Sequence, residues 1–231
     1  MRRYRLLSVL VCWCIGATVS VKATEIVAST TSGSYVAEIS EIILKDAYSQ
    51  VGYDFRVVYV PGKRSLKMSN EGKVNAELMR IIDIKKNYHS LSPVYPALFD
   101  IRGTAFSLKQ GIQSVADFAN YRVGIIRGVH WAKELTNDLS PVVIDDSEKL
   151  MKMLKAGRID IAVASYITGS VALKKLGMEE VHISQPLVKL PVYHWLNKDS
   201  LHLKKPLSNI LTRFEKEQKT DAIIDAYLQG Y

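Results

Sequence analysis

Hydrophobic positions along this chain switch between helical spacing and alternation, and the switches mark out helices and strands. Glu25–Ser29 is a short apolar strand ending in the polar run Thr30-Thr31-Ser32-Gly33-Ser34; Val36, Ile39, Ile42-Ile43 and Ala47 follow at helical spacing, and Gly52 closes that helix. Tyr53–Val60 alternates Phe55, Val57 and Tyr59 as a strand does, and Pro61-Gly62 ends it. Leu91–Pro96 reads as a bend and Leu98–Leu108 as extended. Tyr121–Ile126 reads as a strand, Arg127–Trp131 as its turn and Ala132–Thr136 as the opening of a helix. Val142–Ile144 is another short strand, and Asp145-Asp146-Ser147 supplies caps for the helix beyond it. A small helix over Gly169–Leu176, short Val181–Ile183, extended Val188–Leu196 and two C-terminal helices marked by Leu207, Ile210, Leu211, Phe214 and Ile223, Ile224, Tyr227 complete the chain.

One pattern occurs twice. Setting Gly157 against Gly72 aligns Met151-Lys152-Met153 with Leu66-Lys67-Met68, Arg158-Ile159-Asp160 with Lys73-Val74-Asn75, and Ser165 with Arg80. Each copy, Lys63–Arg80 and Ser147–Tyr166, reads as an amphipathic helix, a glycine suited to the left-handed conformation that ends helices, and an apolar strand. The alternatives are two similar α/β lobes or chance recurrence of a common pattern. Two lobes would place Arg80 and Ser165 at strand ends facing a shared site.

The first residues change the setting. Met1–Ala23 carries Arg2, Arg3 and Arg5, then an apolar run from Leu6 to about Val21, then Val21-Lys22-Ala23, the order of a cleavable secretory signal peptide over residues 1–23. Both cysteines, Cys12 and Cys14, fall inside it, so the expected mature chain has no disulfide, thiol nucleophile or cysteine metal ligand. An exported chain of about 208 residues can bury a core without disulfides, which suits the periplasm. Removing the peptide leaves 27 basic against 23 acidic residues, a net charge of +4, with no block of about five or six like charges. A nucleic-acid partner therefore has little support.

Several segments in order resemble the bacterial extracellular solute-binding proteins of the amino-acid-binding type, the periplasmic components of ABC transporters. They are Pro61-Gly62-Lys63-Arg64-Ser65-Leu66 followed by Glu71-Gly72-Lys73-Val74-Asn75-Ala76; Leu91-Ser92-Pro93-Val94-Tyr95, similar to that family's F-S-x-P-Y; Val115-Ala116-Asp117-Phe118 before Val123-Gly124-Ile125; and Ala156-Gly157-Arg158-Ile159-Asp160. The resemblance covers nearly the whole mature chain. It implies an α/β, two-lobed fold of the periplasmic-binding-protein type II kind with two hinge crossings, lobe 1 over 24–103 and 192–231 and lobe 2 over 104–191. It further implies a small-molecule solute, a membrane permease or membrane sensor as partner, a monomer, and neither cofactor nor metal.

The ligand chemistry departs from the family's. Where those binders place a carboxylate-clamping arginine this chain has Lys85, with Arg80 five residues earlier, and a lysine lacks the planar fork of bidentate recognition. Where they set a carboxylate for the ammonium group this chain has the neighbourhood of Ser165, and where they follow R-G with Thr or Ser it has Val129-His130-Trp131. A standard α-amino acid is thus disfavoured, and a small polar or anionic solute is expected. The expected contacts are Ser32, Tyr35, Arg64, Glu77, Arg80 and Tyr95 from lobe 1 and Arg127, His130, Trp131, Ser165 and Tyr166 from lobe 2. For the polar run before the first helix the plain alternative is helix capping, for Arg64 a solvated side chain, and for His130 and Trp131 a packed loop. An enzyme is the rival class; the five histidines show no H-x-x-x-H or H-E-x-x-H spacing and no G-x-S-x-G elbow occurs, so no catalytic residue is assigned.

Overall fold

The computed structural model describes residues 25–231, so the expected signal peptide and both cysteines lie outside the described residues. The chain runs β1 (Glu25–Thr31), α1 (Tyr35–Gln50), β2 (Asp54–Val60), α2 (Gly62–Asn70), β3 (Ala76–Ile81), β4 (Leu91–Pro93), β5 (Phe99–Ser107), β6 (Val123–Ile126), α3 (His130–Leu135), β7 (Val142–Ile144), α4 (Ser147–Lys155), β8 (Ile161–Ser165), α5 (Tyr166–Lys175), β9 (His182–Ile183), β10 (Val188–Asn197), α6 (Lys204–Lys216) and α7 (Lys219–Gln229), with short 3-10 turns between some of them. Among the described residues no helix is long and apolar enough to cross a membrane.

The strands join in the order β2-β1-β3-β10-β5-β8-β6-β7, with β4 on β10 and β9 on β5. The order reads the same from both ends once β2 is matched with β7, β1 with β6, β3 with β8 and β10 with β5. In each half the outer three strands are parallel, and the innermost, β10 or β5, is antiparallel to its neighbour. β5 carries the chain from one half to the other. Phe99 to Gly103 pair with β10, Gly103 to Ser107 with β8, and Gly103 faces Val188 on one side and Ser165 on the other.

The repeated pattern maps onto this symmetry. α2 and α4 occupy the same span relative to Gly72 and Gly157, which have φ of +73° and +62°, values that only glycine adopts without strain. Their buried faces differ. α4 buries Leu150, Met151 and Leu154 as an amphipathic helix should, whereas α2 buries Ser65 and Ser69 and leaves Leu66 and Met68 half-buried.

One apolar cluster gathers Ile26 to Phe99 with Val192 to Leu228, and two others gather residues between Ala105 and Leu173. α5 serves both halves: Ile167 and Val171 join the first cluster, Ala172 and Leu173 the second.

Three sequence expectations shift. α3 begins at His130 rather than Ala132, because the Val129 carbonyl already accepts the Lys133 N–H. α5 begins at Tyr166 rather than Gly169, because the Ser165 hydroxyl caps it by accepting from the Thr168 N–H. Leu91–Pro93 is a strand, not a bend, since it finds partners on β10.

Candidate functional site

Parallel strands of an open α/β sheet deliver the residues at their C-terminal ends into the crevice where the connections diverge. Here a cavity of about 660 Å³ sits at that edge, large enough for a small molecule. The β1–α1 loop from Thr31 to Val36 forms one wall, and the β6–α3 loop from Ile126 to Trp131 faces it. The β7–α4 loop, Asp145 to Glu148, and the β8–α5 junction with Ala164, Ser165 and Thr168 complete the second side; Met79 and Ile101 also line it.

Charge at this cavity is uneven. Asp145, Asp146 and Glu148 contribute carboxylates, and among the described residues Arg127 is the one cation lining it. Arg127 Nε donates to Asp145 at 2.8 Å, which lowers the pKa of that carboxyl. Asp146 is partly occupied as the α4 cap, accepting from the Lys149 N–H at 2.8 Å. Glu148 meets Lys175 at 3.6 Å, and Lys175 Nζ donates to the Tyr35 hydroxyl at 2.8 Å, linking α5 to the start of α1 beside the cavity.

Hydroxyl geometry decides which polar groups stay available. Ser165 donates to Thr168 Oγ1 at 2.8 Å while capping α5, so its hydroxyl is committed and the Thr168 proton remains free. Ser34 is likewise the α1 cap, accepting from the Ala37 N–H at 3.3 Å.

Five of the eleven residues expected from sequence, Ser32, Tyr35, Arg127, Trp131 and Ser165, line this cavity. Arg80 stands behind its wall, donating to Thr31 Oγ1 at 3.0 Å and paired with Glu77 at 2.7 Å. Glu77 is fully buried. Arg64 is exposed and lines a separate depression with Lys67, Met68 and Lys73, as a solvated arginine would. Tyr95 is exposed and packs edge-on against Tyr193, 5.2 Å between ring centres. His130, exposed on α3, borders a smaller hollow with Lys133 and Val143. Tyr166 lies under the Arg102 guanidinium, 4.4 Å away, in a second cavity of about 510 Å³ between β5, the start of α5 and the α6–α7 turn. Lys85 is exposed on a 3-10 turn away from both cavities.

Thr31 belongs to the polar run weighed from sequence, whereas Met79, Ile101, Asp145, Asp146, Glu148 and Thr168 were missed as cavity residues. Asp145 and Asp146 were legible only as caps; the parallel pairing of β7 with β6 sets their loop beside the β6–α3 loop at the cavity.

No family model matches the sequence. An uncharacterized protein of Shewanella oneidensis is 26% identical over 201 residues, 82% of this chain and 74% of that protein. Among solved structures, an ancestral cationic amino acid solute-binding protein superposes with a TM-score of 0.71 at 14% identity, covering 88% of this chain and 95% of its own. The fold is that of the periplasmic binding proteins. An amino acid ABC transporter substrate-binding protein from Streptococcus pneumoniae bound to L-arginine gives 0.63 at 13% identity, covering 89% and 94%. A histidine kinase sensor domain similar to periplasmic binding proteins gives 0.66 at 13%, covering 89% and 96%.

Proposed function

We propose that this protein binds a small polar solute in the cavity between its two halves, exported to the periplasm by its first 23 residues, and presents it to an ABC-type permease. The halves are residues 24–103 with 192–231 and residues 104–191, and the two strands β5 and β10 are the hinge. The observation that carries this is the position of the cavity, walled by the β1–α1 loop of one half and the β6–α3 and β7–α4 loops of the other. Closing the halves on a solute stabilises the closed form by the difference in contact between the two states. Nothing in that task needs an activated nucleophile.

The lining refines the solute. Among the described residues the lining holds three carboxylates and one arginine, which pairs with Asp145. Lys149 at 3.5 Å and Lys175 at 3.6 Å pair Asp146 and Glu148 from outside the lining, so the carboxylate oxygens left over favour a polar solute with a cationic group. Lys85 is not among the residues that line the cavity. Thermal-shift screening of amino acids, amines, organic acids and short peptides tests this, because a tight ligand raises the melting temperature by mass action. The largest shifts are expected from solutes carrying an ammonium or guanidinium group. Shifts confined to organic acids would overturn the charge assignment, and no shift from any class would overturn the solute-binding reading. Presentation to a membrane sensor is the second reading, supported by the sensor domain that shares this fold. A neighbouring permease and ATPase gene pair favours transport, and a neighbouring sensor kinase or cyclase gene favours signalling.

A further inference from the structure

Glu77 is fully buried, and a buried carboxylate costs several kcal/mol of lost hydration unless it is compensated. Here hydroxyls gather on one oxygen, and burial still holds the Glu77 carboxyl above the ordinary carboxylate pKa. Ser65 donates to Glu77 Oε2 at 2.5 Å and Ser69 lies at 3.0 Å, with Ser29 at 3.5 Å closing the ring through the hydroxyl of Ser69, 2.8 Å away. The other oxygen, Oε1, forms an ion pair with Arg80 Nη2 at 2.7 Å but no hydrogen bond, and Arg80 Nε has no partner either. The same Arg80 nitrogen donates to Thr31 Oγ1 at 3.0 Å, and Thr31 lines the cavity.

The fold itself does not call for this polar nest. In the matching half, Ser65 and Ser69 correspond to Leu150 and Leu154, and Glu77 to Ala162. Ser29, paired with Glu77, corresponds to Gly124, paired with Ala162. That copy packs the same helix on the same strands with apolar side chains alone, all of them buried. So the charged version is explained by what it holds, not by helix–sheet packing.

We propose that Glu77 is a positioning residue of the cavity: seated on Ser29, Ser65 and Ser69, it fixes Arg80, and Arg80 fixes the Thr31 hydroxyl as a hydrogen-bond donor to the solute. The chemistry follows from proton count. A threonine oxygen that accepts from a guanidinium has its own single proton free to donate. Opposite the carboxylates of Asp145, Asp146 and Glu148, the Thr31 side of the cavity therefore takes an acceptor, a carbonyl or carboxylate oxygen. The solute so defined is cationic at one end and an acceptor at the other. This rests on the solute-binding reading above, but the positioning of Arg80 is testable without ligand.

Nitrogen-15 NMR of the Arg80 guanidinium, assigned by its absence in Arg80→Lys, should show slow rotation in the wild type and averaging in Glu77→Gln. An unchanged signal in Glu77→Gln overturns the positioning role. Thr31→Val, which leaves the buried nest in place, supplies the binding arm by calorimetry with L-arginine, L-glutamine and putrescine. At least tenfold weaker binding of an acceptor-bearing probe, with Thr31→Ser within about threefold of wild type and putrescine unaffected, supports the donor assignment. Equal binding of an acceptor-bearing probe by Thr31→Val and wild type overturns it. If the wild type binds none of the three, the solute reading fails for these classes, and the guanidinium signal still decides whether Glu77 holds Arg80.

Discussion

His194 sits at the centre of the first apolar cluster with no exposure to solvent, and its two nitrogens have fixed roles. Nδ1–H donates to the Leu78 carbonyl at 2.9 Å, so Nε2 is bare and accepts from the Tyr48 hydroxyl at 2.8 Å. Burial disfavours the imidazolium and pushes the His194 pKa down to about 4 from an ordinary value near 6.5. Between those values the unfolded chain binds a proton that the native state refuses, so stability rises with pH across that window and is lost on acidification, by up to about 3 kcal/mol from this residue. Urea unfolding at several pH values between 4 and 7 should show this slope in the wild type and a flatter one in His194→Gln; parallel slopes would remove the assignment. Tyr48→Phe leaves Nε2 buried and unpaired and should cost about 1–3 kcal/mol at neutral pH, read from the urea midpoint. Neither effect was legible from sequence, since a lone histidine in an extended segment carries no sign of its partners. Arg80 and Ser165 were legible as strand-end residues. Their contacts were not: one is held by a carboxylate three residues earlier in its own strand, and the other spends its hydroxyl on the helix that follows.

At the scale of elements, local spacing located most helices and strands because a glycine or proline closes many of them. It failed where a glycine does something else. Gly169 looks like the start of a helix; instead it lies in the first turns of α5, where a Cβ would stand 2.1 Å from Phe106 Cζ. Phe106 is itself fully buried, so the ring has nowhere to move. Gly169→Ala should gain about 1 kcal/mol of helix propensity and lose more than that to overpacking, a net destabilisation of about 1–2 kcal/mol by chemical denaturation. Gly103 raises the same issue in β5. A Cβ there would meet the Trp131 ring at 2.5 Å and Val188 at 2.7 Å, and Trp131 lines the cavity. The duplicated helix–glycine–strand unit was readable as a pattern, and its glycines keep their left-handed conformation in both copies. What the pattern could not show is that one copy packs through leucines and the other through serines around Glu77, because a serine facing a buried carboxylate and a serine facing water look alike in sequence.

For the whole molecule, the mirrored strand order leaves few elements through which the proposed solute site and the proposed hinge can be coupled. β5 and β10 link the halves, and at Gly103, where β5 changes partners from β10 to β8, the Trp131 ring rests against the backbone. A rotation of one half against the other about these strands must therefore change the surroundings of Trp131. The only other tryptophan beyond residue 24 is Trp195, fully buried on β10 with its indole N–H donating to the Arg80 carbonyl at 3.1 Å. This gives the described residues two tryptophan reporters in different surroundings, Trp131 lining the cavity and Trp195 buried on β10. Titration with a solute that raises the melting temperature should change tryptophan fluorescence, and the change should vanish in Trp131→Phe and persist in Trp195→Phe. Small-angle scattering on the same samples should show a smaller radius of gyration with solute than without. Gly103→Ala should blunt both responses, since the methyl group displaces the Trp131 ring from its place against β5. A fluorescence change surviving in Trp131→Phe with unaltered scattering would mean that solute binds without moving the halves, and would place the binding event away from the cavity at the strand ends.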